Sequence, residues 1–306
     1  MLAVFLGALI PFLLAQDPPA PPVPTPVAPP AAEAGDEASE PQLEPRTFLV
    51  GEVERTALVH VPAKAGDQPV PLVFVFHGHG GTMRNAARTF RIHEHWPEAL
   101  VVYPQGLNTP GQLTDPEGKR SGWQKEPGDQ ADRDLAFFDA MLAKLKEGHR
   151  IDARRIHATG HSNGGGFTYL LWATRGEVFA SFAPSAAAAN KVLRDATLVP
   201  RPLFHLAGSN DELVKYGWQV ATVARIVKAQ QCGEPEPWKQ HEVCTIRRAK
   251  SGAHVVTLVH EGGHRLARDA GARIAEFFRD TPRPEPTTAD KPGKDAQPTA
   301  PVTPGK

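Results

Sequence analysis

Residues Thr159–Gly166 read TGHSNGGG and follow directly on the short apolar-alternating run Arg155–Ala158, RIHA. A glycine cluster of this kind makes a turn, and it also serves to hold one hydroxyl in a strained, exposed position. Gly160-His161-Ser162-Asn163-Gly164 fits G-x-S-x-G. That pattern is common by chance, and its force comes from a strand before it and a helix after it. RIHA reads as the strand and Gly165–Ala173 as the start of the helix. In this setting the serine occupies a sharp turn whose flanking glycines remove clashing Cβ atoms. The hydroxyl projects over the carboxyl edge of a sheet, where the next helix presents its N–H groups and dipole to a developing negative charge.

Working outward, strand-like and helix-like runs alternate. Thr56–Pro62 (TALVHVP), Pro71–Phe76 (PLVFVF), Ala99–Tyr103 (ALVVY), Pro202–Ala207 (PLFHLA) and Val255–Val259 (VVTLV) read as strands. PLVFVF is apolar throughout, as expected of a central parallel strand buried on both faces. Asp134–Lys146 carries apolar residues at 135, 137, 138, 141, 142 and 145, one face of a helix, and Asp269–Phe278 reads as a closing helix. The alternation predicts a mostly parallel sheet covered by helices, in one domain over residues 45–280.

A serine hydroxyl needs a base, and the base needs an orienting carboxylate. Strand–turn–helix serine sites supply them in the order Ser, Asp/Glu, His. After PLFHLA comes Gly208-Ser209-Asn210-Asp211, which puts Asp211 just past a strand end, on the same sheet edge as Ser162; Glu212 is the alternative. VVTLV leads into His260-Glu261-Gly262-Gly263-His264. His264 follows a flexible Gly-Gly and reaches back over Ser162, whereas His260 is closer to the strand and structural. Two backbone N–H groups are expected to face the oxyanion: that of Asn163, and that of His79 in His77-Gly78-His79-Gly80-Gly81, with Gly78 and Gly80 shaping the loop. A metal site built from His77, His79, His93 and His95 is the rival use of these histidines. It lacks carboxylates at ligand spacing, so no metal is expected.

Composition narrows the classes. Lys+Arg and Asp+Glu are equal at 34 each, with no basic stripe, so no nucleic-acid partner is expected. Leu2–Leu14 is apolar but too short to span a bilayer comfortably, and Ala15 precedes polar Gln16 and Asp17. Residues 1–15 are therefore read as a secretory signal, leaving no stable membrane span once removed and placing the mature chain outside the cell or in the periplasm. Proline reaches 31 residues, many of them in 16–44 and 281–306, which read as extended linker and tail. The two cysteines, Cys232 and Cys244, form either a disulfide, which an exported compartment permits, or two unrelated buried thiols.

The run IDARRIHATGHSNGGGFTYLLWA, followed by VFASFAPSAA, resembles the polyhydroxybutyrate depolymerase-like and feruloyl esterase branch of the α/β-hydrolases. So do FVFHGHGG, VVYPQG, DRDLAFF, HLAGSNDELVKY and EGGHRL, over roughly Arg55–Phe278. The resemblance implies an α/β-hydrolase fold and a secreted, cofactor-free serine esterase acting on ester substrates, polymeric or fragments of polymers. It implies Ser162, Asp211 and His264 as the catalytic triad, and a disulfide before the strand of the catalytic histidine, where Cys232 and Cys244 lie. It aligns Trp123, in RSGWQ, with a tryptophan near the cleft that stacks on substrate or serves ordinary packing, and His161 is assigned with it to substrate contact. Two departures stand out. Arg265-Leu266-Ala267 follows His264 where the branch often has Trp-Pro-Gly, and Asp132-Arg133-Asp134-Leu135 stands where it often has Asp-Asp-Val. Both are expected near the cleft rim, where they bear on substrate choice. A serine peptidase of the same fold and a non-catalytic cell-envelope binding protein are the competing readings. Oligomeric state is not legible.

Overall fold

The structure, a computed structural model, describes residues 42–284. The signal segment 1–15, nearly all of the linker 16–44 and most of the tail 281–306 lie outside the described residues. The chain opens with the antiparallel pair β1 (Glu44–Val50) and β2 (Val53–His60), then β3 (Val70–Phe76), α1 (Met83–Phe90), α2 (Ile92–His95) and β4 (Leu100–Pro104). A two-stranded hairpin, β5 (Leu107–Asn108) and β6 (Ser121–Gly122), precedes α3 (Arg133–Gly148) and β7 (Ile151–His161). There follow α4 (Asn163–Arg175), β8 (Ser181–Ser185), α5 (Val192–Asp195), β9 (Leu203–Gly208) and α6 (Tyr216–Ala229). The last elements are β10 (Pro235–Pro237), β11 (Cys244–Arg247), β12 (Val255–His260) and α7 (Ala270–Asp280).

Ten strands form one sheet in the order β1-β2-β4-β3-β7-β8-β9-β12-β11-β10. The six strands from β4 to β12 run parallel and the pairs at both edges are antiparallel. This is the α/β-hydrolase architecture the sequence predicts, in a single domain. β3 shows why the centre is parallel. All seven of its residues are buried, and they divide with the period of a strand. Leu72, Phe74 and Phe76 enter the core beneath α3 and α4 with Phe138, Phe167 and Trp172; Val73 and Val75 enter the opposite core with Phe90, Trp96, Phe277 and Phe278. Each such ring or branched side chain contributes about 1.5–3 kcal/mol by leaving water.

The acidic segment before α3 is structural rather than a cleft rim. Arg55 Nη2 donates to Asp134 Oδ1 at 2.9 Å, with side chains only 1% and 0% exposed. Gln124 Oε1 accepts the N–H groups of Asp134 and Leu135 at 3.1 and 3.2 Å, capping α3 from ten residues upstream. The chain also continues in place past the expected end at 280, where the Arg283 N–H donates to the Arg154 carbonyl at 2.8 Å.

The disulfide expected between Cys232 and Cys244 is not made. Both are free cysteines. Cys232 packs against the core beneath α4, while Cys244 lies in the core on the other face of the sheet. Cys244 Sγ accepts a hydrogen bond from Arg273 Nη1 at 3.2 Å, and burial pushes both thiols up.

Candidate active site

Ser162 joins β7 to α4 with φ 56° and ψ −117°, the left-handed side of the backbone map that non-glycine residues avoid. Its neighbours explain how that turn survives. A Cβ on Gly160 would lie 2.4 Å from the Gly164 carbonyl oxygen, and one on Gly164 would lie 2.3 Å from that of Phe76. Strand, turn and helix therefore touch backbone to backbone, and the hydroxyl is held at the carboxyl end of the parallel strands.

His264 arrives from beyond β12. A Cβ on Gly208 would lie 2.3 and 2.4 Å from the carbonyl oxygens of Gly262 and Gly263, so this loop lies flat on the end of β9. The Asn210 side chain pins it through a 2.7 Å bond to the Glu261 carbonyl. His260 turns away and braces the loop, accepting the Gly262 N–H at Nδ1 (3.0 Å) and donating from Nε2 to the Arg265 carbonyl (3.1 Å). Asp211 Oδ2 is 2.8 Å from His264 Nδ1, and His264 Nε2 is 2.8 Å from Ser162 Oγ. A carboxylate only accepts, so Nδ1 donates and Nε2 is free to take the serine proton. The Leu213 and Val214 N–H groups, each 3.0 Å from Oδ1, and Gln219 Nε2, 3.0 Å from Oδ2, fix the carboxylate, whose side chain is 0% exposed. Glu212 is exposed and takes no part.

The loop after β3 runs alongside. A Cβ on Gly78 would make ordinary contact with Ser162 Cβ at 3.6 Å. The loop's own bonds run from Gly80 N–H to Ser121 and from Gly81 N–H to Gly78, leaving the His79 N–H outside them. Asn163 is the first residue of α4, whose opening N–H groups have no partner within the helix. The Asn163 side chain clasps the Trp123 backbone through bonds of 2.7 and 2.9 Å.

Three of the four histidines of the rival metal reading are engaged in hydrogen bonds of their own. His77 is buried near neutral, its pKa lowered by burial to about 4, and accepts the Gly106 N–H at 2.9 Å. His79 pairs with Asp115 at 3.1 Å, and His93 with the Tyr103 hydroxyl at 2.8 Å. Among the described residues no group of three or more His, Cys, Asp or Glu is gathered as a metal ion requires.

Of the two expected substrate contacts, Trp123 is turned away from the cleft and His161 lies beside the triad. Trp123 is 0% exposed, its ring packed against Phe76 and Phe167 and its Nε1–H given to the His77 carbonyl at 2.9 Å. Its ring is core, and only its backbone reaches the site. His161 is half-buried beside His264, ring centroids 5.0 Å apart, with Nδ1 3.2 Å from Ser185 Oγ; burial lowers its pKa to about 4. The cleft over Ser162 measures about 410 Å³ and is walled instead by Leu213, Val214 and Trp218 on one side and Lys125 and Lys191 on another. Trp218, 44% exposed on α6, escapes a sequence reading because a solvent-facing aromatic breaks no pattern.

No protein-family model matches the chain. Similarity in sequence runs to a probable feruloyl esterase C of Aspergillus clavatus, 27% identical over 200 residues, 63% of this chain and 69% of that protein. Feruloyl esterase D of Neurospora crassa is 29% identical over 67% of this chain and 72% of its own. A bifunctional acetylxylan esterase/xylanase of Neocallimastix patriciarum is 28% identical over 52% of this chain and only 22% of its own length. In fold, a thermostable esterase covers 79% of the chain and 63% of its own with a TM-score of 0.54 at 19% identity. An acetyl xylan esterase from Aspergillus awamori covers 77% and 99% with a TM-score of 0.53 at 14% identity. The chain is thus similar in sequence to feruloyl esterases and shares its fold with solved esterases.

Proposed function

We propose that the protein is a serine carboxylic ester hydrolase that works through an acyl-enzyme on esters derived from polysaccharide. The observation that carries this reading is the run of 2.8 Å hydrogen bonds from Asp211 through His264 to Ser162, opening on a cleft. Ser162 Oγ attacks the ester carbonyl while His264 Nε2 takes its proton. The N–H groups of Asn163 and His79 receive the oxyanion, His264 returns the proton to the departing alcohol, and water repeats the sequence on the acyl-enzyme. Asp211 keeps the imidazole in the tautomer that accepts from serine. The relatives' names, feruloyl and acetylxylan esterase, favour aromatic or acetyl esters of polysaccharide over hydroxyalkanoate polyester. Residues 1–15 act in this reading as an export signal. Mass spectrometry of the protein quenched during turnover of methyl ferulate or an acetylated xylo-oligosaccharide tests it. The expected adduct is a feruloyl or acetyl group on Ser162; hydrolysis with no adduct there and full rate in Ser162→Ala would overturn it.

A further inference from the structure

Behind Asp211 the hydrogen bonds continue. Gln219 Nε2 donates to Asp211 Oδ2 at 3.0 Å and to the Val214 carbonyl at 2.7 Å. Both partners only accept, so the amide nitrogen faces them and Oε1 faces the other way. There it meets His205 Nε2 at 3.1 Å. That nitrogen must carry the hydrogen, which leaves His205 Nδ1 to accept from the Tyr169 hydroxyl, 2.7 Å away. The direction is therefore set along the whole run: Tyr169 O–H to His205, His205 N–H to Gln219, Gln219 N–H to Asp211.

Tyr169, His205, Gln219 and Asp211 are 0%, 2%, 1% and 3% exposed, so none of these groups exchanges a partner for water. Burial lowers the His205 pKa to about 4 and leaves the imidazole neutral near pH 7. Tyr169 lies on α4, the helix that Ser162 caps; His205 is on β9, Gln219 on α6, and Asp211 follows β9. The bonds thus close a ring, from Ser162 through His264 and Asp211, then through Gln219 and His205 back to the serine's own helix.

We propose that Gln219, His205 and Tyr169 are positioning residues: their one-way chain, anchored on the nucleophile's helix, turns Asp211 Oδ2 onto His264 Nδ1. The proposal rests on the serine-nucleophile reading above. Simple packing would be indifferent to the direction of the bonds; this chain is not.

Gln219→Glu separates the two. As a neutral acid the new side chain gives Asp211 a hydrogen and still accepts from His205. Once ionised it turns a bare oxygen on Asp211, and the like charge pushes that carboxylate away. Burial and Asp211 both raise the new group's pKa above the ordinary glutamate range, so activity is present at low pH and lost as pH rises through it. The readout is the rate at which a fluorophosphonate labels Ser162, followed by intact mass from pH 5.5 to 8.5. In that step Oγ bonds phosphorus, fluoride leaves, and the serine proton passes to His264, so no substrate identity is assumed. The variant-to-wild-type rate ratio should fall about tenfold across the range. Tyr169→Phe, a milder change, should slow labelling about three- to tenfold without altering the profile's shape. Wild-type labelling matched by both variants at every pH overturns the proposal and leaves the serine nucleophile standing. If the wild type itself does not label, the nucleophile reading falls and this one with it.

Discussion

A single methyl group at Gly164 tests how fold and site are joined. In Gly164→Ala the new Cβ would stand 2.3 Å from the Phe76 carbonyl oxygen and 2.5 Å from that of His77. Neither is a flexible side-chain tip. To restore even a 3.0 Å contact, the end of β3 and the loop after it must retreat from α4 by about 0.7 Å. That loop carries His79 and that helix carries Asn163, the two proposed oxyanion donors, so the shift opens the gap between them. Overpacking of this kind costs about 1–3 kcal/mol of stability, and misplacement approaching 1 Å costs on the order of 100-fold in rate. Gly166→Ala is the control on the same helix. Nothing lies within 4 Å of a Cβ there, and replacing a helical glycine by alanine stabilises by about 0.5–1 kcal/mol. Urea unfolding and kcat/KM on an aryl ester, measured on both variants, provide the comparison. A Gly164→Ala protein with wild-type stability and wild-type kcat/KM would refute the backbone-contact argument.

Other expectations follow from the same contacts. Arg55→Met removes the cation paired with the buried Asp134 carboxylate, leaving it the Gln124 N–H at 2.9 Å, and should cost about 3–5 kcal/mol in urea unfolding; a loss below about 1 kcal/mol would mean that water reaches the site. The two thiols should both alkylate in denaturant without reductant, adding two labels by mass, and Cys232→Ser should not lose the roughly 2–4 kcal/mol a disulfide contributes. His77, His161 and His205 each have a folded pKa of about 4, below the ordinary 6.5 or so of an unfolded chain. The unfolded chain therefore binds more protons in this window. Stability is fully present above about pH 6.5 and falls toward pH 4, by about 1.4 kcal/mol per pH unit for each residue; a flat stability curve from pH 7 to 4.5 would contradict it.

What the sequence discloses is local. β3 is legible because its run is apolar on both faces. β7 is read from only its four residues Arg155–Ala158, since Asp152 and Arg154 break the apolar pattern before it and Thr159–His161 reads as part of the turn. β8, SFAPS, is buried at every position yet is not among the strands read from the sequence, because serine and proline mask a strand whose burial comes from its neighbours β7 and β9. β1 begins inside what reads as linker, since an edge strand paired on one side needs few apolar residues. At the site, Ser162, Asp211 and His264 stand at turns where chain order and glycines mark them, and the structure brings all three within hydrogen-bond reach. Trp123 misleads for the opposite reason. Tryptophan is amphipathic, and whether it faces core or cleft depends on Phe76 and Phe167, which are distant in sequence. The Gln219–His205–Tyr169 chain is invisible for the same cause: each link joins a different element.

The most direct measurement of the central claim is the initial rate of hydrolysis of methyl ferulate and p-nitrophenyl acetate by the wild type and by Ser162→Ala at pH 7.5. The account predicts turnover by the wild type and a rate lower by about 10⁴-fold or more in Ser162→Ala. Equal rates in the two proteins, or a folded wild type inert toward both esters, would contradict it.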